Sequence, residues 1–158
     1  MEIPDELKKF LTLDKAEKHL DLVSGIVDPE KKGNIISIAA LAEEEITKLL
    51  TRYFAAPNRS EAFQEVVENN LTFHAKIETL KRIVPKLDAT ESNHKPHFEF
   101  LRGLKKLRNT AAHSYGVSIE HATKLSSDPE VSHLVADFPN NLWQRVTALR
   151  EYLESLQT

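Results

Sequence analysis

The residues best suited to chemistry are Arg108, Asn109 and His113, which lie within one six-residue stretch of the chain. An arginine guanidinium is a rigid fork of donors that matches the oxygens of a phosphate. A histidine can take up and release a proton near neutral pH. These two groups are the tools needed to cut a phosphodiester without a metal ion. The segment that carries them ends a stretch with helical periodicity.

The predicted helix over 97–112 separates into two faces when its residues are placed at about 100° intervals. One face is apolar and should be buried; it comprises Phe100, Leu104, Leu107 and Ala111. The opposite face is basic and polar; it comprises Arg102, Lys106, Asn109 and His113, with Lys105 at its flank. One helix therefore presents a basic, hydrogen-bonding stripe that ends in a histidine.

Arg108 falls at the edge of the apolar face, so its guanidinium needs a partner. A half-buried charge without one is costly. The partner could be a carboxylate, a set of carbonyl oxygens or an anionic ligand. Among carboxylates, Glu43, Glu44 and Glu45 on an earlier predicted helix are the obvious candidates.

The same pattern also fits a purely structural interpretation. Runs of basic residues on a helix are usually solvated, and a histidine at a helix C-terminus interacts favourably with the helix dipole. An Arg–Glu pair between helices often serves packing alone. The residues by themselves leave both interpretations open.

The composition is that of an ordinary globular domain. The chain has 158 residues, of which 41% are hydrophobic and 28% charged, and one domain over 1–158 is expected. The net charge of -3 argues against a dedicated basic nucleic-acid binder, but it allows a local basic site. Cysteine is absent, which removes disulfides and thiolate metal sites. With no signal-peptide pattern and no apolar run of membrane length, a cytoplasmic location without membrane contact is expected.

The periodicity predicts an all-α fold of about six or seven helices in a compact bundle. We predict six longer helices, over 14–27, 35–54, 60–68, 73–84, 97–112 and 140–156, and two short ones, over 5–11 and 118–125. Turns or loops are predicted at 28–34 and 88–95, and Ser60 and Thr72 are predicted helix caps. The helices over 35–54 and 97–112 should form the centre of the bundle.

The string from Arg108 to His113 resembles the Arg-Asn-x-x-Ala-His signature of the HEPN superfamily, whose members are small all-helical domains that commonly dimerise. Two further segments support the resemblance. One is the helix around Glu43 with its Leu-Leu-x-x-aromatic end, and the other is the stretch 71–77. The chain is most similar to the branch that includes mannitol-operon-repressor-like proteins, over about 34–116. Tyr115 extends the signature to a form seen in HEPN toxins that are modified by an antitoxin.

In catalytic members, the resemblance implies metal-independent RNA cleavage by a homodimer. His113 would then move a proton during attack by a ribose 2′-hydroxyl, Arg108 would stabilise charge on the phosphate, and Asn109 would orient one of these groups. Glu43, Glu44 and Tyr115 would support the site, and RNA would bind along the basic stripe of Arg102, Lys105 and Lys106. Other members have no nuclease activity, so a regulatory or protein-interaction module, with a protein partner, is the alternative.

No metal or cofactor is expected. His94 and His97 form the closest histidine pair, but Pro96 interrupts them and no third ligand is near in sequence. No phosphate-binding glycine loop and no helix-turn-helix pair stands out, so direct DNA binding is not expected.

Overall fold

The computed structural model describes residues 29–112, 127–135 and 140–158, and these residues form helices and connections without a β-strand. Six α-helices are present in these ranges: α1 (Pro29–Phe54), α2 (Ser60–Asn70), α3 (Phe73–Leu87), α4 (Glu91–Ala112), α5 (Pro129–Val135) and α6 (Asn140–Ser155). A single 3₁₀ turn, Pro57–Arg59, connects α1 to α2. The predicted all-α class is confirmed. None of the described helices is both long and apolar enough to cross a bilayer.

Helices α1 and α4 form the centre of the bundle, as predicted. Helix α1 packs against α2, α3, α4 and α6, and α4 packs against α1, α3, α5 and α6. The apolar stripe of α1 is buried because its side chains recur every three or four residues; it includes Ile35, Ile38, Ala42, Ile46 and Leu49. The predicted apolar face of α4 is also buried, with Phe100, Leu104, Leu107 and Ala111 all at 0% exposure.

The cap prediction for α3 is confirmed, and the one for α2 is wrong. The Thr72 hydroxyl accepts a hydrogen bond from the backbone N–H of Ala75 at 3.1 Å, as an N-cap should. Ser60 is already the first residue of α2, and its hydroxyl donates to the carbonyls of Ala56 and Pro57. The preceding 3₁₀ turn supplies those carbonyls, so Ser60 closes that turn instead of capping the helix.

Helices α1, α3 and α4 extend beyond their predicted bounds, through residues that usually mark turns. The turn predicted at 28–34 is wrong, since α1 begins at Pro29, which suits a first helical position. Helix α3 continues through Pro85 to Leu87, which packs against the core. The loop predicted at 88–95 is correct for 88–90 and wrong beyond, since α4 begins at Glu91 and buries His94.

Helix α5 was missed by the periodicity, which is weak over only seven residues. Its Val131 and Leu134 are fully buried against the bundle. It approaches α4 so closely at Gly103 that a Cβ there would collide with the Glu130 carbonyl oxygen. The helices predicted over 5–11, 14–27 and 118–125 lie outside the described residues.

Candidate functional site

The Arg108 side chain lies half-buried between α4 and the first turn of α3. Its Cζ atom stands 5.4 Å from the centroid of the Phe73 ring, and Phe73 itself is 3% exposed. The guanidinium therefore makes a cation–π contact, which is attractive but uses none of its five donors. Among the described residues, no carboxylate lies within 4 Å of it. Arg108 is thus held on one side by the Phe73 ring, and none of the described carboxylates accepts a hydrogen bond from its guanidinium.

The carboxylates predicted to pair with Arg108 have other partners. Glu43 accepts from the Lys76 ammonium at 2.9 Å, and the Lys76 side chain is only 3% exposed. Glu44 lies 3.4 Å from Lys48, which also binds Glu45 at 3.1 Å. None of these three carboxylates is therefore the partner of Arg108, and of the partners considered for it, carbonyl oxygens or an anionic ligand remain. Lys76 reaches Glu43 on α1 from α3, and a nearly buried ammonium is costly without a carboxylate partner.

Asn109 is exposed on the surface next to Arg108. The following residue, Thr110, turns inward, and its hydroxyl donates to the Lys106 carbonyl at 3.0 Å. His113 and Tyr115 lie outside the described residues. The structure therefore brings Arg108 and Asn109 to the end of α4 that directly precedes His113 in the chain.

The predicted basic stripe of α4 is largely neutralised by helix α5. Lys106 lies 2.6 Å from an Asp128 oxygen and 2.7 Å from Glu130, and Arg102 lies 3.2 Å from Glu130. The other Asp128 oxygen accepts from the backbone N–H of Glu130 and so caps α5. Arg102 and Lys106, two of the three residues predicted to bind RNA, therefore form ion pairs with Asp128 and Glu130. The helical periodicity of the sequence did not predict these pairs.

These ion pairs shift the proton affinities of their members in the expected directions. Hydrogen bonds from Lys106 hold the pKa of Asp128 and that of Glu130 below their ordinary values. The same bonds raise the pKa of Lys106. All three groups stay charged at neutral pH, so α4 and α5 are joined by a charged network at the surface.

Lys105, the third predicted residue, lies on the same side of α4 as Arg108, one turn away. Its ammonium donates to the His74 Nδ1 atom at 3.1 Å, and no carboxylate approaches it within 4 Å in the parts of the chain described. His74 follows Phe73 in the first turn of α3. We call His74, Lys105 and Arg108 the α3–α4 basic patch. Sequence reasoning missed His74, because only packing brings the first turn of α3 beside α4.

The histidine pair considered for a metal lies on α4. His94 is 9% exposed and meets Phe98 edge-on, with ring centroids 5.6 Å apart. His97 stacks on Tyr152 at 4.5 Å, and burial together with the charge of Arg145 lowers its pKa. No group of three potential metal ligands occurs among the described residues.

No protein-family description, curated protein or solved structure matches this chain.

Proposed function

We propose that the protein is a metal-independent endoribonuclease of the HEPN type, acting as a homodimer in the cytoplasm. The observation that carries the proposal is the state of Arg108. Its guanidinium rests on Phe73 with no described carboxylate within 4 Å, so its donors are available to a phosphate. A structural role would instead favour a pairing of Arg108 with Glu43 or Glu44, and both of these bind lysines.

The chemistry follows from these residues. A base removes the proton from the ribose 2′-hydroxyl, and the 2′-oxygen forms a bond to phosphorus. The bond from phosphorus to the 5′-oxygen breaks, and an acid protonates that oxygen. Arg108 offers paired donors to the phosphate oxygens as negative charge builds, and Asn109 orients the attacking or leaving group. DNA lacks the 2′-hydroxyl and is not cut.

His113 of one copy acts as the base and His113 of the other as the acid, since one histidine cannot do both at once. RNA approaches along the α3–α4 basic patch, where His74 and Lys105 flank Arg108. Arg102 and Lys106 are less suited to this task because they already bind Asp128 and Glu130.

The test is cleavage of end-labelled single-stranded RNA and of a tRNA pool in excess chelator. We expect 2′,3′-cyclic phosphate ends from the wild type. Arg108→Ala should lower the rate by about 10²–10³-fold, and His113→Ala by about 10²–10⁴-fold. The cleavage rate of Arg108→Lys should lie between those of the wild type and Arg108→Ala, because lysine keeps the positive charge but lacks the planar set of paired donors.

Arg82→Ala is the matched control, since Arg82 is an exposed arginine of α3 outside the α3–α4 basic patch. All variants must share the wild-type circular dichroism and sedimentation coefficient. Equal cleavage by wild type and His113→Ala, or no cleavage at all, would refute the nuclease.

A second candidate is a regulatory module that binds a protein partner, as the mannitol-operon-repressor-like resemblance implies. Ile36 and Leu41 support it, because these apolar side chains of α1 are 42% and 40% exposed. The pairing of Arg102 and Lys106 with acids also leaves less positive charge for RNA. If RNA is not cleaved, binding of a protein partner by the wild type but not by Ile36→Asp would favour this function. If the protein is a toxin, the expected partner is an antitoxin.

A further inference from the structure

A second basic site lies at the other end of α4, away from the α3–α4 basic patch. A cavity of about 260 Å³ opens between α3 and the first half of α4. Four nitrogen-bearing side chains line it, namely Lys81, His94, Lys95 and Arg102. The α4 members recur at helical spacing, so one face of this helix forms most of the wall.

His94 shows that the cavity is more than a gap between solvated side chains. The residue is 9% exposed, and its Nδ1 atom is shielded from solvent and has no hydrogen-bond partner. A buried polar nitrogen without a partner costs about 1–3 kcal/mol. The imidazole ring lines the cavity, and a rotation about its Cβ–Cγ bond would present this nitrogen to a ligand bound there.

Among the described residues that line the cavity, one cation is free to attract an anion. Lys95 is exposed and has no carboxylate within 4 Å in the described ranges. Lys81 lies 2.8 Å from Glu78, in a pair whose side chains are 31% and 47% exposed and which therefore contributes little stability. Arg102 Nε lies 3.2 Å from Glu130, so much of its charge is already balanced by that acid.

The remaining wall of the cavity is mostly apolar, which favours an anion that also carries an apolar part. Phe98, which is 8% exposed, and Pro85 line the cavity beside the cations. The volume lies just below the roughly 300–1,000 Å³ typical of sites for drug-sized ligands. A small molecule with a phosphate at one end and an apolar part at the other matches both walls.

We propose that the cavity between α3 and α4 binds a small organic phosphate. The phosphate contacts Lys95 and His94, and the apolar part of the ligand packs on Phe98. Glu91 also lines the cavity and is its one acidic wall residue, so it opposes the bound anion.

The test is isothermal titration calorimetry of the full chain with phenyl phosphate and with inorganic phosphate. Phenyl phosphate should bind more tightly, because only it reaches the apolar wall. Lys95→Glu should weaken its binding by at least about tenfold, the value of one charge-assisted hydrogen bond. Glu91→Gln should strengthen it, since the repelling charge is removed.

Lys86→Glu is the matched control, because Lys86 is an exposed lysine of α3 outside the cavity. If Lys86→Glu weakens the binding of phenyl phosphate as much as Lys95→Glu does, the effect is one of overall charge, and the proposal is overturned. Equal affinity for the two phosphates would overturn the organic ligand in favour of free phosphate. Absence of binding at millimolar concentration would overturn the site altogether.

Two further readouts keep the test independent of folding and of nuclease activity. The NMR signals of the His94 ring should shift during the phenyl phosphate titration of the wild-type protein, and unmoved signals would contradict the proposal. Binding of a single-stranded RNA that Lys95→Glu abolishes, without any binding of phenyl phosphate, would assign the cavity to RNA instead. Neither readout uses RNA cleavage, so the two proposals fail or stand separately.

Discussion

At the scale of single residues, partners decide what each charge can do. Arg108 rests on an aromatic ring, whereas Lys76 claims the carboxylate of Glu43. Arg108 is therefore the cation that the proposed RNA substrate would contact, whereas Lys76 stabilises the fold. It also makes the buried pair a point where stability can be tested.

Removing the two members of the Lys76–Glu43 pair should have unequal effects. Glu43→Ala leaves a nearly buried ammonium without its partner, and it should lower the free energy of unfolding by about 2 kcal/mol, below the range for fully buried pairs because Glu43 is partly exposed. Lys76→Met leaves a carboxylate that water can reach, and it should cost less. Urea denaturation measures both.

Glu44→Ala is the control for that pair. Glu44 is 54% exposed, so its loss should cost about 0.5 kcal/mol or less. A larger effect of Lys76→Met than of Glu43→Ala would contradict the assignment.

The charged network between Lys106 and α5 should make stability depend on acid pH. Because the pKa of Asp128 and that of Glu130 are lowered in the folded state, their contribution is present above the ordinary values of 3.8 and 4.5. It is lost as the pH falls below these values and through the lowered folded pKa values. The groups are partly exposed, so the change should amount to about 1 kcal/mol or less.

Lys106→Ala should flatten that acid-side decline, which is measured as the urea midpoint at a series of pH values from neutral to acid. Lys86→Ala, which removes an exposed lysine of α3 that has no described ion pair, should leave the wild-type profile unchanged. Identical profiles for Lys106→Ala and wild type would show that the network does not contribute.

At the scale of elements, α5 determines which part of α4 remains open. It covers Arg102 and Lys106 with acids, and its backbone packs directly on Gly103. The basic residues at the end of α4 lie beyond its reach and face α3 instead. A short helix without strong periodicity thereby redirects the surface that RNA would use.

Gly103→Ala should be destabilising by about 1–3 kcal/mol, because the new methyl group would strike the Glu130 backbone and lie 2.7 Å from Leu134. Gly33→Ala is the matched control in α1. A Cβ there has nothing within 4 Å, so this change should be stabilising by about 0.5–1 kcal/mol through better helix propensity. Thermal unfolding of both variants measures the difference, and a neutral Gly103→Ala would refute the close packing of α5.

At the scale of the whole molecule, the proposed nuclease requires two copies. Its specific activity should therefore fall on dilution through the dimer dissociation constant, because a monomer has only one of the two histidines. Sedimentation velocity at the same concentrations gives the dimer fraction. Constant specific activity in samples that are fully monomeric would contradict the two-histidine mechanism.

The sequence by itself determined the all-α class, the buried faces of α1 and α4, and the Thr72 cap. These features follow from periodicity and short-range hydrogen bonds, which act within a few residues. It also placed Arg108 and Asn109 side by side near the end of the helix that the structure shows as α4.

Only the tertiary structure decided the partners of the charged side chains. Glu43 could bind Arg108 or Lys76, and the choice depends on how α3 sits between α1 and α4. The placement of Asp128 beside Lys106 likewise depends on packing, since the two residues are 22 positions apart in the chain. Helices α1 and α4 also continue through Gly33 and Pro96, because one glycine costs a helix only about 1 kcal/mol and a helix that begins at Glu91 buries His94.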